Sequence, residues 1–183
     1  MKRLLACMCL LSTPAAAADY AVDYAKSTIG FSGMHAGKAF TGKFETWQAD
    51  IRFDPASPAE SRIAVTIDTG SAKTGDAMYD GTLPSPDWFD VKNHKKASFL
   101  STSVSRSQNG SYIAYGDLSI RGKTKTVHFP FTLEQPENGA TTRTQFTLPL
   151  HRLDFGIGEQ SDPKAEWVDD LITVTVTLEA KPK

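Results

Sequence analysis

Beyond residue 9 the chain has no cysteine; its two, Cys7 and Cys9, both lie near the N-terminus. Disulfide stapling and thiol chemistry are therefore excluded for the body of the molecule, and stability must come from a packed core. Long apolar runs are also lacking. The most prominent, residues 4–11, is too short to cross a bilayer as a helix. An excess of one charge is missing too: 20 basic residues face 21 acidic ones. Setting aside Lys2 and Arg3 leaves 18 against 21, a net charge near −3. Such a balance offers no electrostatic footprint for nucleic acid or for an anionic membrane surface. The four histidines show no ligand spacing and no cysteine can assist them, so no metal site and no cofactor is expected.

What the N-terminus does contain is ordered. Lys2 and Arg3 precede the apolar run, and Ser12-Thr13-Pro14 and the run Ala15-Ala16-Ala17-Ala18 follow it. That is the layout of a secretory signal peptide, residues 1–18, cleaved before Asp19. Leu4-Leu5-Ala6-Cys7 superficially resembles a lipoprotein cleavage box, but there the apolar core follows the cysteine instead of preceding it. Residues 19–183, about 165 of them, suffice for one domain with a real core.

Almost all of that domain alternates with period two. Ile63, Val65 and Ile67 share one face of a strand, as do Val127, Phe129, Phe131 and Leu133, then Phe146, Leu148 and Leu150. Ile172, Val174, Val176 and Leu178 alternate with Thr173, Thr175, Thr177 and Glu179. This is the pattern of antiparallel strands with one buried and one wet face. Asn109-Gly110 and Asn138-Gly139 mark hairpin turns, because both residue types tolerate positive φ. Pro130 lies inside a strand pattern and predicts an edge or a bulge. Long strands with bulky inward residues favour closure into a barrel over a sandwich, and eight strands can just hold one elongated ligand.

One connection is too long and too apolar for a turn. Residues 74–96 carry Met78, Tyr79, Leu83, Trp88, Phe89 and Val91 between two strands. Ser85-Pro86-Asp87 supplies an N-cap, a proline and an acid for a short helix. Asp76 to Leu83 offers a second helical turn, weakened by Gly81. Such a segment either plugs a core or covers a ligand.

Tyr20-Ala-Val-Asp23, Ser27-Thr-Ile-Gly-Phe31, His35, Gly42-Lys-Phe44 and Phe53-Asp54-Pro55 follow one another along the chain. Further on come Ser71-Ala-Lys-Thr-Gly75, Asp87-Trp-Phe-Asp90, Gly116-Asp-Leu-Ser-Ile-Arg-Gly122 and Arg152-Leu-Asp-Phe-Gly-Ile157. Together these motifs resemble the YceI-like, polyisoprenoid-binding family. The resemblance implies an all-β fold: an extended eight-stranded antiparallel lipocalin-like barrel with a short helical insertion, exported to the periplasm. It also implies an apolar tunnel for an isoprenoid or similar lipid. Where the family leads one to expect an Arg-Asp pair, this chain has Tyr79-Asp80. Losing a guanidinium there removes a donor suited to phosphate, which favours a weakly polar ligand such as a quinone, a prenyl alcohol or a fatty amide over a diphosphate.

The candidate tunnel and lid residues are Phe31, Phe44, Trp47, Met78, Leu83, Trp88, Phe89, Phe99, Leu118, Phe129, Phe131, Phe146 and Phe155. Candidates for a head group are His35, Tyr79, Asp80, Arg121 and Arg152, with Lys123 and Lys125 nearby. Each has a plainer reading: a loop histidine, a capped turn, an ordinary charged strand end, a core plug. No nucleophile elbow, paired-carboxylate motif or phosphate-cradling glycine loop is present, so the chain is read as a carrier and not an enzyme. The alternatives left open are a small-barrel enzyme acting on a lipid-like substrate and a non-carrying periplasmic adaptor or stress protein. The expected partner is an isoprenoid, quinone or fatty-acid-like lipid, with transient contact to a membrane protein or membrane surface allowed. Oligomeric state, monomer or dimer, stays open.

Overall fold

A computed structural model describes residues 17–134 and 141–183. The candidate signal peptide up to residue 16 and the Asn138-Gly139 turn lie outside the described residues. The period-two runs become eleven strands of one antiparallel sheet. They are β1 (Ala18–Val22), β2 (Thr28–His35), β3 (Lys38–Phe44), β4 (Trp47–Phe53), β5 (Arg62–Asp68) and β6 (Ala72–Lys73). The short helix α1 (Ala77–Thr82) follows, then β7 (Lys96–Arg106), β8 (Tyr112–Ile120), β9 (Lys123–Phe131), β10 (Thr142–His151) and β11 (Leu171–Pro182).

Eight of these strands pair in the order β10-β11-β1-β4-β5-β7-β8-β9. The other three branch from the middle: β11, 12 residues long, holds β2 along residues 173–177 and β1 along 180–182, and β3 and β6 extend from β2. The extra strands were not separable from loops by periodicity, because β6 is two residues long and β3 is rich in Gly, Lys and Thr. Two tight turns have no Asn-Gly signal: Ala36-Gly37 and Arg121-Gly122 both take positive φ, at 48° and 75°, and 53° and 74°. The Asn109-Gly110 turn does carry one, with Gly110 at φ 85° and the Asn109 carboxamide accepting from the Ser111 amide at 3.1 Å.

The two ends of the eight-strand path, β9 and β10, meet without a ladder among the described residues. Their backbones share the bridge Glu134–Arg143, with N···O distances of 2.8 and 2.9 Å. Each strand carries a proline, Pro130 and Pro149, which cannot donate to a neighbour. The seam is filled from inside: the rings of Phe129 and Phe146 stack at 4.1 Å with 4° between planes. Phe129 also tilts against Phe99 at 5.4 Å and Phe131 at 6.4 Å, which continues the aromatic wall around the interior.

The insertion folds differently from its sequence signals. The helix expected from Ser85-Pro86-Asp87 does not form, and α1 forms instead over the weaker 77–82 segment. Asp76 caps it, its carboxylate accepting from the Met78 and Tyr79 amides at 2.8 and 3.3 Å. Residues 83–94 run as successive turns, and Asp90 at φ 47° breaks any helix there. The Asp87 carboxylate caps a distant loop, accepting from the Gln160 and Ser161 amides at 2.9 and 2.8 Å.

Phe146→Ala should cost about 3 kcal/mol of unfolding free energy, because it removes one half of the stack that joins β9 to β10. Urea unfolding measures it; a loss below about 1 kcal/mol would mean that the seam is held by something else.

Candidate ligand-binding site

The inward faces of β4, β5, β9, β10 and β11 line an apolar cavity of about 150 Å³. Its wall includes Trp47, Phe99, Leu118, Phe129, Phe131 and Phe146, all expected from the sequence. It also includes Tyr20, Ile29, Ile51, Phe53, Ile63, Val65, Ile67, Leu133, Leu148, Val174, Val176 and Leu178, and no charged residue among those described. Alternation carried the signal for most of these: each sits on the apolar set of its strand. Thr142 and Thr144 complete the wall at the β9-end of the cavity, each 7% exposed. The Thr144 hydroxyl finds no hydrogen-bond partner among the described residues. A buried hydroxyl left unpaired costs about 1–3 kcal/mol.

A second cavity of about 380 Å³ lies beneath the insertion. Phe31, His35 and Phe40 of β2 and β3 form its floor, and Met78, Tyr79, Leu83 and Trp88 its cover. Ser161, Asp162, Trp167 and Val168 close the third side. His35 Nδ1 and the Tyr79 hydroxyl share a hydrogen bond of 2.7 Å across it. His35 is held at the end of β2, where Val168 bridges to it and the Ala36 amide donates to the Trp167 carbonyl at 2.7 Å. Trp167 and Met78, 63% and 60% exposed, leave the rim of this cavity apolar toward solvent. Phe40 and Trp167 had no periodic signal; Trp167 sits in a run of acids.

The expected tunnel-and-lid set therefore divides. Phe44, Phe89 and Phe155 line neither cavity: Phe44 packs on Phe31 at 5.3 Å and on Phe89 at 5.8 Å, and Phe155 is 2% exposed in the core. Asp80 serves the loop itself, accepting from the Thr74 amide and hydroxyl at 2.7 and 2.8 Å.

The two arginines proposed for a head group are committed to protein acceptors. Arg121, placed by its positive-φ turn, donates to the carbonyls of Pro86 (2.6 Å) and Gly156 and so ties the insertion to the end of β8. Arg152 is 3% exposed. It donates to the Ile157 and Val168 carbonyls at 2.7 Å each and to the Asp162 carboxylate at 2.8 Å. Its guanidinium also lies 5.8 Å from the Trp88 ring centroid. Lys123 and Lys125 pair with Glu159 and Asp154, each at 3.4 Å.

Three carboxylates hold this region. Burial opposes ionisation at Asp87, Asp162 and Asp170, yet hydrogen bonds from Ser161 and Gln160, from the Val168, Glu166 and Trp167 amides, and from Leu153 and His151 keep all three below the ordinary aspartate value of 3.8. Their stabilising effect is complete above that value, where folded and unfolded chains are both ionised. It is lost as pH falls below 3.8, because the unfolded chain takes up protons first. Stability should accordingly hold from neutrality to about pH 5 and drop below about pH 4, as followed by circular dichroism. Asp162→Asn should shallow that acid limb and cost about 3–5 kcal/mol at neutral pH, because it strands the buried Arg152 charge.

Comparison with known proteins comes to the same fold. A YceI-like domain model matches residues 20–180. A UPF0312 protein of Ectopseudomonas mendocina is 31% identical over 172 residues, covering 90% of each chain. The crystal structure of Burkholderia cenocepacia BcnA superposes with a TM-score of 0.82 at 32% identity, over 87% of this chain and 99% of that one. A polyisoprenoid binding domain from Saccharophagus degradans, implicated in plant cell wall breakdown, shares the fold at a TM-score of 0.68 and 13% identity, over 93% of this chain and all of that one. The chain belongs to the YceI-like family.

Proposed function

We propose that this is an exported, non-catalytic carrier that holds an apolar chain inside its sheet. The ligand class is an isoprenoid, an isoprenoid quinone or a fatty-acid-like lipid. The observation that carries the reading is the inner cavity, whose wall carries no charge among the described residues and is built from aromatic and branched side chains. The shared fold of a polyisoprenoid binding domain supports the same ligand class. The order of basic, apolar and small residues in 1–18 supports export to the periplasm.

Magnitudes limit what the cavity takes. A dry apolar cavity of about 150 Å³ accepts a benzene-sized molecule. A longer chain requires its walls to part or its tail to reach the second cavity; β2 runs past both, with Ile29 on the first and Phe31 on the second. An anionic diphosphate head finds little here, because the Arg121 and Arg152 guanidinia are already hydrogen-bonded to the protein. The exposed Met78 and Trp167 at the rim suit brief contact with a membrane surface or membrane protein during loading.

Protein purified without detergent should release a stoichiometric hydrophobic compound on organic extraction, identified by mass spectrometry. An empty extract, with no uptake of offered prenyl lipids or quinones, would sink the reading. Tyr79→Phe should speed ligand release several-fold, because it removes the hydrogen bond that fastens α1 to His35. The unfolding midpoint should barely move; a large fall in midpoint with unchanged release would make Tyr79 a structural residue only.

A further inference from the structure

The inner cavity has one group that its apolar character does not explain. Thr144 faces inward from β10, two residues from Phe146, and its hydroxyl is buried without a partner among the described residues. Threonines on the outer face of a strand need no account, since water serves their hydroxyls. Here the neighbouring inward positions on β11 are Val176 and Leu178, and a valine at 144 would fill the same volume. A buried hydroxyl persists against that alternative when something else supplies its hydrogen bond.

The location narrows what that partner is. The insertion covers the end of the sheet where β9 begins, through Arg121 and Pro86. Thr144 lies at the other end, next to Arg143 of the Glu134–Arg143 bridge. Thr142, one inward position further, faces the same space. No charged side chain of the described residues lines the cavity, so an ion placed beside Thr144 would have no counter-charge among them. An uncharged oxygen meets both conditions.

We propose that the Thr144 hydroxyl is the hydrogen-bond partner of an uncharged oxygen, a hydroxyl or a carbonyl, on the ligand held in the tunnel, and that this oxygen lies at the end of the tunnel away from the insertion. The inference rests on the carrier reading and assigns the ligand's polar end.

Calorimetric titration with three probes of matched skeleton tests it: geraniol, which offers a hydroxyl; geranial, the corresponding aldehyde, which offers a carbonyl; and the hydrocarbon that lacks only geraniol's hydroxyl. Thr144→Val should weaken one or both oxygen-bearing probes about tenfold while leaving the hydrocarbon unchanged, and Thr144→Ser should restore the difference. Loss for geraniol alone assigns an alcohol, and loss for geranial alone a carbonyl. Because valine replaces an unpartnered hydroxyl at equal volume, the variant should fold at least as stably, which thermal unfolding checks. Uptake of all three probes with an unchanged oxygen-to-hydrocarbon ratio in Thr144→Val overturns this assignment and leaves the carrier reading standing. Uptake of none by the unaltered protein overturns both.

Discussion

The structure depends on how β9 and β10 are held together. Ten residues of β10 pair with β11, and nine of β9 pair with β8, but between β9 and β10 the described backbone offers one bridge. Stacking of Phe129 on Phe146 takes the place of a ladder. A seam joined by side chains keeps the interior apolar, because both rings present carbon to it. It also sets the energetic terms for expansion. Parting β9 from β10 separates rings, each contact worth little alone, and disturbs few hydrogen bonds. A cavity of about 150 Å³ beside such a seam can widen without dismantling the sheet.

The opposite regime rules the insertion. Its second half is fastened from three sides: Asp87 to the 160–161 loop, Arg121 to Pro86, and Trp88 over the Arg152 guanidinium. Arg152 in turn is locked to Asp162, whose carboxylate also accepts from the Glu166 and Val168 amides at 2.8 Å each. The bonds between Arg152 and Asp162 are charge-assisted and buried, and so stronger than their neutral counterparts. The first half, α1, is fastened more lightly, by the Asp80–Thr74 pair and the His35–Tyr79 bond. The insertion therefore has a fixed plug, with Trp88 and Phe89, and a lighter cover, with Met78 and Tyr79. Plug fits the fastening of the second half, and a lid is the role we propose for the first.

Sequence reading recovered what alternation encodes. The faces of β5, β9, β10 and β11 and most of the tunnel wall follow from residue spacing, because a strand's side-chain direction is local. It failed where the deciding partner is remote in sequence. Asp87 looked like the acid of a helix's first turn, yet its amide partners lie 73 and 74 residues away. Arg121 and Arg152 looked like a cationic rim, yet their acceptors are carbonyls supplied by loops that no pattern brings together. Pro130 was legible as an edge residue; that Pro149 would face a similar role on the partner edge was not. Thr144 was invisible for a different reason: a threonine in a strand is ordinary until its surroundings prove dry.

The ligand we propose is an apolar chain that lies inside the sheet, against the Phe129–Phe146 seam. Protein loaded with an isotope-labelled prenyl compound and observed by NMR tests this directly. Nuclear Overhauser contacts from the prenyl methyls to the Phe129 and Phe146 rings and the Val174 methyls are the predicted result. Contacts confined to Met78, Leu83 and Trp167 beneath the insertion would contradict it.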